Sequence, residues 1–259
     1  MSRQTAPGFG AVRGTIRSRL LVNALVDPEE AARRLPAGLR PHVTGEGTVV
    51  GCCLLDLAAV RPARLPAAVG TSFRAAAHRI SVEWDDGEVT TVGVFVPLRL
   101  SPSRAAVALG GRAFPGVHRR ASVGLTGAGP RVAWSVEPGD ALGSYAVRVE
   151  ASPQDVSPAA ACEPVAGTCL GADVGLSPGH DGALEAARMT PRHRQAQPVD
   201  VHDLDSAFLA GFASARPAPS YLMRNVDVTW TRYPTTVAHQ PASGRNGAAG
   251  RPVASVSNR

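Results

Sequence analysis

The chain has 259 residues, is 44% hydrophobic and 5% aromatic, and carries a formal net charge of +6. That length gives room for a substantial core in one large or two small domains, while the apolar runs fall far short of the ~18 residues a membrane-spanning helix needs. Every one of its 27 basic residues is arginine; arginine stays protonated and forms no imine with a ketone, so Schiff-base chemistry on a lysine is excluded.

Residues 1–12 read as a loose polar arm with no apolar leader segment, which points to a cytoplasmic protein. Arg19 to Val26 reads as a strand. A helix follows, with Asp27 at the N-cap, Pro28 at the first helical position and Glu30 at capping-box spacing; Pro36 and Gly38 end it. Thr48 to Leu57 is continuously apolar and reads as a buried strand. From His78 to Trp84 the pattern alternates, with Ile80, Val82 and Trp84 on one face and Arg79, Ser81 and Glu83 on the other. On that polar face Arg79 and Glu83 are spaced to form an ion pair. Asp85-Asp86-Gly87 supplies a turn, and Val89 to Val96 returns as the second arm of a hairpin. Further strands are expected over Ala121–Leu125, Arg131–Val136 and Tyr145–Ala151.

Ser152 to Gly182 is rich in Pro, Ala, Gly and Ser and reads as irregular connection. Leu204, Phe208 and Phe212 recur at helical spacing, which predicts a helix over 203–214. Leu222 to Trp230 alternates as a final strand, and 239–259 has little to bury and reads as a disordered tail. These elements predict an α+β, mostly antiparallel β architecture with few helices, in a single domain over 13–238.

Few motifs carry chemistry. Gly175-Leu176-Ser177-Pro178-Gly179 matches a hydrolase elbow by letter, but Pro178 has no N–H to offer an oxyanion hole. The seven histidines show no metal-binding spacing, and no Cys-x-x-Cys pair exists, so neither a metal nor a cofactor is expected. The arginines are dispersed, without zinc-finger or RNP-like motifs, so no nucleic-acid partner is expected and no membrane partner either.

Three segments together resemble one family. They are Arg17 to Leu39 (RSRLLVNALVDPEEAARRLPAGL), His78 to Asp86 (HRISVEWDD) and Gly111 to Ala121 (GRAFPGVHRRA), and the set looks like an uncharacterised bacterial branch of the acetoacetate decarboxylase-like superfamily. The resemblance implies a closed, cone-like β-barrel with peripheral helices, an internal pocket and a homo-oligomer. In the decarboxylase a tyrosine-proline-lysine-lysine stretch supplies the imine-forming lysine; Phe114-Pro115-Gly116-Val117 matches it here, so Gly116 stands at the lost lysine position. The family's pocket arginine matches Arg17, with Arg19 as the fallback. Its two pocket glutamates fall on Gly51-Cys52-Cys53 and on 74–77, where no acid exists.

The candidate site follows from that match. His118, two residues after Gly116, is the general acid/base candidate. Arg17 would hold the substrate anion, and Arg112 would either join it or anchor its loop. His78 is a further pocket candidate; its odd separation from Glu83 puts the two on opposite strand faces. Cys52 or Cys53 would line the pocket as a small apolar group. The expected partner is a small acidic or carbonyl-bearing metabolite. The expected activity is of lyase type (decarboxylation, dehydration, enolisation or cyclisation) by acid/base chemistry, the alternative being a noncatalytic small-molecule-binding protein on a degenerate version of the fold.

Overall fold

The computed structural model describes residues 10–112, 114–127, 131–155, 172–235 and 237. Most of the expected arm, the middle of the 152–182 connection with Cys162 and Cys169, and the expected tail lie outside them. The strands are β1 (Val12–Val26), β2 (Arg40–Pro41), β3 (Val43–Thr44), β4 (Gly47–Pro62), β5 (Thr71–Asp86), β6 (Val89–Ser101), β7 (His118–Thr126), β8 (Val132–Pro138), β9 (Val147–Pro153), β10 (Val174–Pro178), β11 (Leu184–Pro191), β12 (Gln197–Ser206) and β13 (Arg216–Tyr233). Short helices α1 (Pro28–Ala32), α2 (Arg104–Leu109) and α3 (Ala207–Ala210) interrupt them.

Neighbouring strands run β11-β10-β6-β7-β8-β9-β12-β13-β1-β4-β5-β2, with β3 on β4. Two further pairings, β11 with β13 and β6 with β5, turn this path back on itself. The strands β13, β1, β4, β5, β6, β10 and β11 thus form a closed ring of hydrogen-bonded neighbours, which leaves few free edges. Pairing is mostly antiparallel; β6 runs parallel to both β7 and β10.

The central strands are buried on both faces, which is why their sequences read as apolar runs rather than clean alternation. On β1, β4 and β5 one face carries Leu20, Val22, Cys52, Leu54, Ile80 and Trp84. The other carries Ile16, Leu21, Cys53, Leu57, Ala75 and Ala77. Double burial also corrects the expected polar face of β5. Arg79 and Ser81 are each 1% exposed, and Glu83 pairs with Arg40 and His42 instead of Arg79. Arg40 also grips Asp85 with both terminal nitrogens, at 2.8 and 2.9 Å.

Two other expectations change. The helix over 203–214 shrinks to α3, because β12 continues to Ser206 by pairing with β9. Leu204 consequently faces outward, 39% exposed, while Phe208 and Phe212 still bury as their spacing suggests. The connection before Gly182 contains β10, so Gly175–Pro178 lies in a strand, and Ser177 is buried there.

Candidate functional site

Strand register brings five residues into one row on one face: Leu21, Cys53, Ala77, Arg99 and His118 are successive neighbours across β1, β4, β5, β6 and β7. One row away, some two residues or about 6–7 Å along the strands, lie Arg19, Leu55 and Ala75. The row on the other side holds Asn23, Gly51 and Arg79. Small side chains at 53, 75 and 77 leave space between the arginines, and two adjoining cavities occupy it. The inner one, about 100 Å³, is bordered by Arg19, Cys53, Arg79, Arg99 and Asp173. The outer one, about 220 Å³, is bordered by Leu57, Phe73, Leu109 and His118. Leu55, Ala77, Arg99, Phe114 and Trp230 border both.

Two β-bulges aim the arginines. In β1, Ile16 pairs with Leu57 and Ser18 with Asp56, so Arg17 is the extra residue. Opposite it, Asn225 of β13 takes a left-handed φ of 54°. The extra residue resets the alternation, so Arg17 is exposed while Arg19, 3% exposed, faces inward. In β6, Phe95 pairs with Ile80 and Leu98 with His78, leaving Val96 and Pro97 opposite Arg79. Pro97 has no ladder N–H to lose at this point. Val96 and Arg99 therefore both border the inner cavity at a spacing of three.

The guanidiniums have unusual surroundings. Arg19 donates from Nε to the Cys53 sulfur at 3.1 Å and from Nη1 towards the sulfurs of Met189 and Met223, each at 3.9 Å. Arg79 donates from Nη2 to Asn23 Oδ1. Gly51 makes room for it, since a methyl group there would come within 3.2 Å of Nη2 and 2.1 Å of the Val22 carbonyl oxygen. The Nε and Nη1 of Arg79 are buried without a hydrogen-bond partner among the described residues. Arg99 donates from Nε to Ser177 Oγ at 3.1 Å.

His118 sits beside Arg99 at the start of β7. Its Nδ1 lies 3.0 Å from the Gly116 carbonyl oxygen. A carbonyl only accepts, so Nδ1 carries the proton and Nε2 is left as the basic nitrogen. Burial, and secondly the Arg99 charge, push the imidazole down to about 4; the Gly116 bond opposes this. The preceding turn is held by Gly116, whose N–H donates to Glu185 Oε2 at 2.7 Å. Its φ is +87°, and a methyl group there would lie 2.6 Å from Ser177 Cβ and 2.9 Å from Arg99 Nε.

Of the residues singled out from the sequence, His118 is at the cavity and Gly116 adjoins it. Arg17 is outside, displaced by the bulge. Arg112 is exposed and holds its loop, donating to the Ala108 carbonyl oxygen at 2.9 Å. His78 and Cys52 pair across β4 and β5 on the opposite sheet face. His78 packs there between Tyr145 and Phe208. Burial pushes His78 down to about 4 and the Cys52 thiol up to about 12. Neither borders either cavity; of the described cysteines, Cys53 does. Sequence reading missed Arg79 and Arg99. The alternation did put Arg79 opposite Ile80, but that face reads as solvated unless both faces of the strand are known to be covered.

Several solved structures are similar to this one, although no protein-family model and no curated protein matches the sequence. An acetoacetate decarboxylase from Legionella pneumophila subsp. pneumophila str. Philadelphia 1 superposes with a TM-score of 0.59 at 14% identity, over 92% of this chain and 93% of that one. An acetoacetate decarboxylase-like enzyme from Sphingomonas wittichii RW1 gives 0.61 at 12% identity, over 91% and 99%. The enduracididine biosynthesis enzyme MppR gives 0.58 at 14% identity, over 91% and 89%. Identity this low speaks for architecture and not for chemistry: the chain has the acetoacetate decarboxylase-like fold.

Proposed function

We propose that the chain is a small-molecule enzyme of lyase type that acts on an acidic or carbonyl-bearing metabolite by proton transfer, without a covalent imine. The observation that carries this reading is His118, bordering the cavity next to Arg99 with its tautomer set by the Gly116 carbonyl. A substrate carboxylate or enolate oxygen would take charge-assisted hydrogen bonds from the arginines, each contributing roughly 1.5–3 kcal/mol. His118 Nε2 would take the proton from the carbon next to the carbonyl, and the electron pair would move onto the carbonyl oxygen facing Arg99. A base near pKa 4 is weak alone. An arriving carboxylate raises it, because a nearby negative charge favours the imidazolium.

Two features remove the imine route. The chain has no lysine. Gly116, the position matched to the decarboxylase lysine, has a backbone and neighbours that admit no side chain. Among the similar structures, MppR is complexed with pyruvate, a 2-oxo acid, in one and with the condensation product of pyruvate and imidazole 4-carboxaldehyde in another. A ligand of that chemistry suits the arginines here.

The test is exchange of the protons next to the carbonyl of 2-oxo and 3-oxo acids in D2O, followed by NMR. The wild type accelerates exchange for at least one acid, and His118→Asn lowers the rate by ~10²–10⁴. Equal rates for both proteins would remove His118 from the chemistry. A second reading, a binding protein without turnover, is favoured by one feature: Asp173 is the one acid among the described residues bordering the cavities. It accepts a hydrogen bond from Arg194. Saturable binding without exchange would select that reading.

A further inference from the structure

We propose that the two adjoining cavities together form a site for a monocarboxylic acid with an unbranched apolar tail. The carboxylate sits among the arginines of the inner cavity and the tail runs along the outer one. This rests on the reading that the cavity takes an acidic metabolite, and it narrows that ligand class. Two independent observations carry it.

The first concerns the head group. Arg79 is 1% exposed and borders the inner cavity. Its Nε and Nη1 are buried with no hydrogen-bond partner among the described residues. A buried cation with idle donors is costly, and a bound anion relieves that cost most fully. The inner cavity, about 100 Å³, accommodates a carboxylate and a few further atoms.

The second concerns the tail. The outer cavity is about twice as large, about 220 Å³, and Leu55, Leu57, Phe73, Leu109 and Trp230 form much of its wall. Leu109 is 47% exposed at the end of α2, as befits an apolar residue at a cavity mouth. Arg61, also on this wall, already donates to the carbonyl oxygens of Ala59 and Leu65. Leu55, Ala77, Phe114 and Trp230 border both cavities, so the two adjoin, and the proposed ligand reaches from one into the other past these side chains. A short dianion would leave the apolar cavity unfilled.

Trp230 reports binding, since Trp84 and Trp134 are only 0% and 2% exposed and lie on the other face of the sheet. The experiment titrates the full chain with acetate, butanoate, octanoate and octan-1-ol by tryptophan fluorescence, checked by calorimetry. Affinity is expected to rise about fourfold per methylene along the acids. Octan-1-ol should bind at least tenfold more weakly than octanoate. Arg79→Met should abolish the preference for the acid and keep the chain-length slope. Ala106→Phe, which narrows the outer cavity, should weaken octanoate but not acetate. If acetate equals octanoate and both need Arg79, the tail is wrong while the acidic-ligand reading stands. If octan-1-ol equals octanoate, or if no acid binds, the proposal and the acidic-ligand reading fall together. Should Arg79→Met not fold, the acid-against-alcohol comparison on the wild type decides the matter.

Discussion

At position 116 a methyl group has nowhere to go. The left-handed φ of +87° and the 2.6 Å approach to Ser177 act together there, so Gly116→Ala should lose about 2–3 kcal/mol in urea unfolding. A loss below ~0.5 kcal/mol would mean that the turn relaxes freely. The sequence displays a glycine at this place but not its dihedral angle, so only the resemblance drew attention to it. Arg17 teaches the complementary lesson. A gap-free match points to it, yet one extra residue in β1 turns it outward and Arg19 inward. Arg17→Ala should therefore change neither stability, within ~0.5 kcal/mol, nor carboxylate affinity, whereas Arg19→Met should weaken that affinity. Comparing the two variants in one binding assay checks the bulge directly. His118 was legible because it needed only position along the chain; Arg79 needed knowledge of what covers each sheet face.

Among the elements, α1 was the most legible, because caps are local. Asp27 accepts from the backbone N–H groups of Glu29 and Glu30, at 2.7 and 3.4 Å, as its spacing predicts. The expected capping-box return takes a longer route, however. Glu30 accepts from the N–H of Ala213 and Ser214, and Ser214 Oγ accepts from the Asp27 N–H at 2.8 Å. The cap thereby ties α1 to the chain between α3 and β13. Asp27→Ala should cost about 0.5–2 kcal/mol, and Asp27→Ser should recover most of it; thermal melts of the pair measure both. Helix against strand at 203–206 was not legible. Leu204, Phe208 and Phe212 satisfy a helical period, and only the partner strand β9, distant in sequence, decides that residues up to Ser206 extend. Strands β10 and β11 were hidden for the same reason: short, Gly- and Pro-flanked segments become strands because β6 and β13 offer them edges.

At the scale of the molecule, the buried imidazole of His78 and the half-buried one of His118 govern the response to acid. His78 is 0% exposed, and burial holds it near 4 against an ordinary 6.5. Between those values the unfolded chain binds a proton that the folded chain refuses. Stability is thus fully present above pH 6.5 and declines as pH falls towards 4, by on the order of 3 kcal/mol for His78. His118 adds to the decline with the same sign. Asp85, held below the ordinary carboxylate range by Arg40, contributes its own loss only at lower pH. His78→Leu should flatten the urea-midpoint profile between pH 6.5 and 4; an unchanged slope would show that His78 is already protonated in the fold. His78 lies on β5 within the closed ring and His118 on β7, which pairs with the ring strand β6, so the two sit on opposite sides of the sheet. The most direct test of the site is a crystal structure with a bound 2-oxo acid. Its carboxylate should contact Arg79 or Arg99, with His118 Nε2 within about 3.2 Å of a ligand atom. A ligand lodged instead on the outer surface by Arg17 or Arg112, with the chamber between β1 and β6 empty, would contradict the account.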